Sequence, residues 1–144
     1  MSIEILPLRS EDFTAANELW GLEDAVVLRG DDNPELFSKF LERNTDCCYA
    51  AWQGSDLFVG AIMAGHDGRR GYLYHLAVDS QYRRQGIGRK LVERSLGALH
   101  AQGISKFHVF TRRNNIPASS FWKALGWEVR QDIQVKSFSG DGEK

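Results

Sequence analysis

Arg83-Arg84-Gln85-Gly86-Ile87-Gly88 is the stretch of this sequence whose residue types best suit holding an anion. Its glycines let backbone N–H groups come close to a ligand, and Arg83, Arg84 and Arg89 add guanidinium groups that make charge-assisted bonds to phosphate oxygens. From Gly86 onward Ile87, Leu91, Val92, Leu96 and Leu99 recur on one helical face. The loop therefore opens a helix, whose unpaired first N–H groups and positive dipole end also favour negative charge. A pyrophosphate suits that chemistry. An ordinary glycine-containing turn beside solvated arginines satisfies the same string, so the motif alone leaves both readings open.

The elements that must position this loop follow from the pattern around it. Ile3, Ile5 and Leu6 to Leu8 predict a first strand, and Ser10-Glu11-Asp12 caps a helix to about Leu22. Asp31-Asp32-Asn33-Pro34 starts a second helix, with Leu36, Phe37, Phe40 and Leu41 at helical spacing to about Arg43. Cys48 to Trp52 and Leu57 to Gly65 flank a turn-rich Gln53-Gly54-Ser55-Asp56 and predict a hairpin, after which Gly68-Arg69-Arg70-Gly71 reverses the chain into a strand from Tyr72 to Val78. The helix after Gly86 stops at Gly103, and Phe107, Val109 and Thr111 alternate with His108 and Phe110 as a strand. Ala118, Phe121, Trp122 and Leu125 mark a short helix, with Pro117 in its first turn and Gly126 past its end. Trp127 to Val129 and Ile133 to Phe138 are expected as closing strands, and the polar tail from Ser139 to Lys144 is expected to fray. This order predicts an α/β or α+β fold with a mixed sheet, its ligand site at the strand-to-helix junction from Val78 to Gly88.

Composition bounds the rest. At 144 residues, with 42% apolar and 26% charged, the chain has the size and make-up of one soluble globular domain. It shows no apolar run of membrane-spanning length and no leader-like N-terminus, so a cytosolic location and no membrane partner are expected. A net charge of −1 gives no pull toward nucleic acid. Cys47 and Cys48 are adjacent and give no disulfide scaffold, and the four histidines are scattered, so no metal is expected.

Leu76-Ala77-Val78, followed by Tyr82-Arg83-Arg84-Gln85-Gly86-Ile87-Gly88-Arg89-Lys90-Leu91, resembles the acetyl-CoA signature of the GNAT superfamily, in which R/Q-x-x-G-x-G/A opens the helix after the fourth strand. Asn115-Ile116-Pro117-Ala118-Ser119-Ser120-Phe121-Trp122-Lys123-Ala124-Leu125-Gly126-Trp127 is similar to that family's N-x-x-A-x-x-[LF]-Y-x-x-x-G-F block. The resemblance covers about Val59 to Val135, and Gly65 to Gly71 resembles a subgroup of small bacterial acetyltransferases of the YpeA-like type. It implies one GNAT domain over 1–144, with a mixed, mostly antiparallel sheet of about seven strands and about four helices.

The resemblance also implies roles. Acetyl-CoA would lie where the fourth strand and its neighbour splay apart, with Leu76, Ala77 and Val78 offering backbone groups to the pantetheine arm and the thioester carbonyl. Arg83, Arg84, Gln85, Gly86, Ile87, Gly88 and Arg89 would hold the pyrophosphate, and Asn115 would contact the pantetheine. The activity implied is direct attack of a primary amine on the thioester in a ternary complex, the acceptor being a small-molecule or a protein amine. Trp122 stands where many members place a tyrosine that protonates the departing thiolate, and an indole N–H is too weak an acid for that. It would pack on the pantetheine or complete the core, and Tyr72, Tyr74 or Tyr82 would be the other phenols. Its presence also motivates the alternative of a weak or inactive acyl-CoA-binding module.

For the base, Tyr72, Tyr74 and Phe110 occupy positions where family members carry ionisable groups. His75 is the nearest imidazole, although strand alternation sets it on the face opposite Tyr72 and Tyr74 unless a bulge re-aims it. A water relay to an acceptor-pocket residue is the other route. His108 reads as a sheet-face residue, and Trp20, Phe37 and Phe40 as core. Glu23, Asp24, Asp31 and Asp32 could attract a cationic amine but read first as a solvated loop. A monomer or a homodimer fits, the latter through pairing of Ile133 to Phe138.

Overall fold

The computed structural model describes residues 2–22, 26 and 28–140. Strand β1 (Ile3–Pro7) leads through a 3-10 turn (Ser10–Asp12) into helix α1 (Phe13–Gly21), and α2 spans Pro34–Arg43. Strands β2 (Tyr49–Gln53), β3 (Leu57–His66) and β4 (Gly71–Val78) follow. Helix α3 (Ile87–Ala101), strand β5 (Phe107–Val109) and helix α4 (Ile116–Ala124) complete the order. The five strands stand as β1-β2-β3-β4-β5. All pairs are antiparallel except β4 with β5, which the crossover through α3 makes parallel.

Each face of the sheet buries its own cluster. Leu73, Ile62 and Val59 pack with Leu91, Val92 and Leu99 of α3 and Trp122 of α4. On the other face Ala61, Met63 and Ala77 pack with Ala16, Leu19 and Trp20 of α1 and Phe37 of α2. Burial on both sides explains why β3 reads as an almost unbroken apolar run with no polar alternation. Local chemistry sets the helix ends. The Asn33 side chain accepts from the Leu36 N–H at 2.9 Å with Pro34 opening α2, and the left-handed Gly103 (φ +92°) closes α3.

Ser10-Glu11-Asp12 precedes α1 as expected, with Asp12 at the N-cap position ahead of Phe13, and is itself wound into a 3-10 turn held by the Asp12 carboxylate accepting from Arg9 N–H at 2.9 Å. Two features depart from expectation. Strand β5 ends at Val109 instead of reaching Thr111. The expected closing strands Trp127 to Val129 and Ile133 to Phe138 form no ladder, so among the described residues the sheet has five strands and not about seven. Val129, Ile133, Val135 and Phe138 are 53–95% exposed. An alternating pattern becomes a strand only against a partner, and the three-residue β5 offers a short edge. Trp127 alone docks, edge-on to Trp122 at 4.9 Å. The last four residues of the expected tail lie outside the described residues.

Candidate active site

The loop between β4 and α3 is built by two left-handed residues, Arg84 (φ +65°) and Gly86 (φ +79°), around Gln85. The first bond of α3 runs from Lys90 N–H to the Gly86 carbonyl at 3.0 Å. Ahead of it, the N–H groups of Ile87, Gly88 and Arg89 have no carbonyl within the helix to meet, which is the donor set an anion uses. The three arginines are not equivalent. Arg83 Nε donates to the Val78 carbonyl at 3.3 Å and clips the loop to the end of β4. Arg89 donates to Glu93 at 3.2 Å in a solvent-exposed pair, a weak tie that a phosphate can displace. Arg84 is exposed at the left-handed position.

Gly88 has a packing reason as well. A Cβ there would lie 3.2 Å from Phe121 Cε1, so this glycine lets α3 seat against α4. The Tyr82 hydroxyl bonds Gln53 of β2, and so ties the loop to the sheet. Asn115 accepts from Ala118 N–H at 3.1 Å and caps α4, leaving its amide NH2 as the group that can face a ligand. Trp122 is buried between Phe121 (5.1 Å) and Trp127 (4.9 Å) and belongs to the core behind the sheet.

The β4–β5 ladder runs only from Gly71↔Phe107 to Leu73↔Val109, while β4 continues to Val78 beside β3 alone. Among the described residues, 74–78 therefore have no ladder partner on the β5 side, and the anion loop follows at their end. Within this stretch the pairing goes from Ala61↔Ala77 to Met63↔Tyr74. Two steps along β3 match three along β4, so β4 carries one extra residue, a bulge at His75 and Leu76. His75 adopts φ +47°, outside the strand region. The bulge changes which face His75 meets. Its ring lies 5.2 Å from Trp20 of α1, and Tyr74 lies 5.8 Å from Phe40 of α2, so both point to the α1/α2 side. Strict alternation, which sets them on opposite faces, does not hold here.

His75 Nε2 is 2.7 Å from Asp32 Oδ1, with side-chain exposures of 23% and 15%. The second carboxylate oxygen of Asp32 accepts from Arg29 N–H at 2.8 Å, which fixes the orientation of the group. With the carboxylate accepting from Nε2–H, the lone pair of a neutral ring sits on Nδ1. Asp32 is therefore a partner of the imidazole and not one more charge in a solvated loop. Asp31 is exposed, and Glu23 and Asp24 lie outside the described residues. The linear signal for Asp32 was its place in a capping run before Pro34, which fixes a carboxylate locally but does not name a partner on β4. Of the expected tyrosines, Tyr72 stacks beside Tyr74 at 6.3 Å, and burial, with smaller contributions from Tyr72 and Asp67, raises the Tyr74 phenol and keeps it protonated.

The sequence matches the family model "Acetyltransferase (GNAT) family" over residues 5–127. It is 32% identical to "Acetyltransferase ECA0875" of Pectobacterium atrosepticum, covering 88% of this chain and 89% of that protein. It is likewise 32% identical to "Acetyltransferase SG1711" of Sodalis glossinidius, covering 91% of each. Among solved structures, Ard1 from Thermoplasma volcanium superposes with a TM-score of 0.79 at 17% identity, over 90% of this chain and 85% of that one. The PaiA N-acetyltransferase of Thermoplasma acidophilum, a complex with coenzyme A, superposes with a TM-score of 0.76 at 22% identity, over 90% and 92%.

Proposed function

Because this chain belongs to the acetyltransferase (GNAT) family, we propose that it moves the acetyl group of acetyl-CoA to a primary amine by direct attack in a ternary complex. The observation that carries this reading is the placing of the open stretch of β4 (74–78) between two features. At one end lie the N–H groups of the anion loop that have no carbonyl partner within α3, and on the α1/α2 side lies the His75–Asp32 pair.

Bound acetyl-CoA would supply a thioester whose carbonyl carbon accepts the amine and whose thiolate leaves. The chain supplies the rest. Backbone N–H groups from Gln85 to Arg89, with the Arg84 guanidinium, hold the pyrophosphate. Leu76, Ala77 and Val78 line the pantetheine arm through their backbone, and the Asn115 amide reaches it from α4. His75 Nδ1 takes a proton from the acceptor ammonium, and Asp32 holds the ring and balances the charge it gains. The thiolate is a fair leaving group that water can protonate, so a phenol at position 122 is dispensable.

A second reading is an acyl-CoA-binding protein without turnover, favoured by the burial of Trp122 where the family's phenol would stand. Consumption of acetyl-CoA with a panel of amines and peptides decides between the two. Acceptor-dependent thiol release is the expected result. Tight CoA binding with no release across a broad panel would establish the second reading instead.

A further inference from the structure

A row of aromatic rings leads outward from the His75–Asp32 pair. Phe40 and Tyr74 meet at 5.8 Å, Tyr74 and Tyr72 at 6.3 Å with nearly parallel planes (21°), and Tyr72 meets His108 at 5.6 Å and Phe110 at 6.1 Å. A core would cover such a row. Here Tyr72 and Tyr74 are only half-buried and Phe110 is 64% exposed. Because of the bulge the row and His75 share one face of the sheet. Tyr72 stands three residue steps along the strand from His75, a run of about 10 Å.

The outer end of the row is basic. Arg70 Nη1 lies 3.5 Å from His108 Nε2. Burial first, and then Arg70, Lys106 and Arg130, hold His108 below the usual imidazole range. Carboxylates offset this only in part. Arg130 is paired with Asp132 at 2.8 Å, and Asp67, close enough to raise the Tyr74 phenol, accepts from the N–H groups of Arg69 and Arg70. Rings alone would also attract a cation through their faces. The surplus positive charge around His108 decides against one there, since a second ammonium about 10 Å from the reacting amine would meet Arg70 and Lys106.

We propose that the acceptor is a primary amine carried on a flat apolar or aromatic body that stacks along Tyr72 and Tyr74, and not an amine with a second cation at its far end. This rests on the acetyl-transfer reading for the identity of the reacting group, but its test reads binding, so the two fail separately.

The test titrates 2-phenylethylamine, n-butylamine and spermidine into the full chain saturated with CoA. 2-Phenylethylamine should bind about tenfold tighter than n-butylamine, as a stacked ring adds to plain burial, and spermidine no tighter than n-butylamine. Tyr72→Phe, which keeps the ring, should preserve the preference, and Tyr72→Ala should cut it to about threefold or less. Equal affinity for the aryl and alkyl amines, tighter binding of spermidine, or no binding of any of the three would overturn the proposal. Acetyl-CoA consumption with spermidine alone would also overturn it, while leaving acetyl transfer standing.

Discussion

A left-handed histidine in the middle of a strand costs about 1–3 kcal/mol and persists only where its surroundings hold it. His75 is held by the Asp32 carboxylate and by the edge of Trp20. Replacing His75 by Ala should lower kcat by roughly 10²–10⁴-fold with the KM for acetyl-CoA little changed, measured by thiol release. Asp32→Asn, which keeps an acceptor but loses the charge, should fall between that variant and wild type. That β4 carries an imidazole here was legible in the residue type. The face that His75 occupies was not, because a bulge is defined by the partner strand and β3 gives no linear mark of it. Trp122 shows the reverse: its type excluded proton donation, and its burial adds a structural duty. Trp122→Tyr should lower the melting temperature without raising turnover, since the smaller ring leaves a void between Phe121 and Trp127.

In the proposed function the strand–loop–helix unit from β4 to α3 carries the binding chemistry, and its two motif glycines divide the labour. Gly86 supplies a left-handed turn with open space around it, whereas Gly88 admits Phe121. Gly86→Asp combines backbone strain with a carboxylate in the anion cradle and should weaken CoA binding by about tenfold or more. Gly88→Ala, with its Cβ 3.2 Å from Phe121, should instead cost stability, about 1 kcal/mol by thermal unfolding. Caps and turns made the helices readable: Asn33 with Pro34, Pro117 with Gly126, and Gly103 are local signals with local causes, whereas the capping role of Asn115 shows only in the structure. The closing strands were not readable in the same way. Their alternation is real in the sequence, yet pairing depends on β5, which is only three residues long.

The sheet with helices on both faces places one cysteine in each core cluster, Cys47 toward α3 and Cys48 toward α1 and α2. Burial, countered partly by a backbone contact at Ala64, pushes the Cys48 thiol from 9.0 up to about 12. An unfolded thiol loses its proton near pH 9 while the folded one keeps it, so stability is fully present below pH 9 and falls as pH rises toward 12. The melting temperature should therefore drop over that window, and labelling by a thiol reagent at pH 8 should follow global unfolding, slowing further when CoA is bound. The α/β or α+β class with a mixed sheet was legible from the order of elements. Cys47 and Cys48 precede β2, and packing against α3 or against α1 and α2 decides the cluster each one joins.

All of the chemistry assigned to this chain requires that the β4–α3 junction hold the diphosphate of CoA. Calorimetric titration of CoA into the folded chain should give saturable binding at one site, weakened in Gly86→Asp. A protein that is folded by circular dichroism yet gives no heat of binding up to about millimolar CoA, an affinity limit of about −4 kcal/mol, would contradict the assigned cradle and the acetyl transfer built on it.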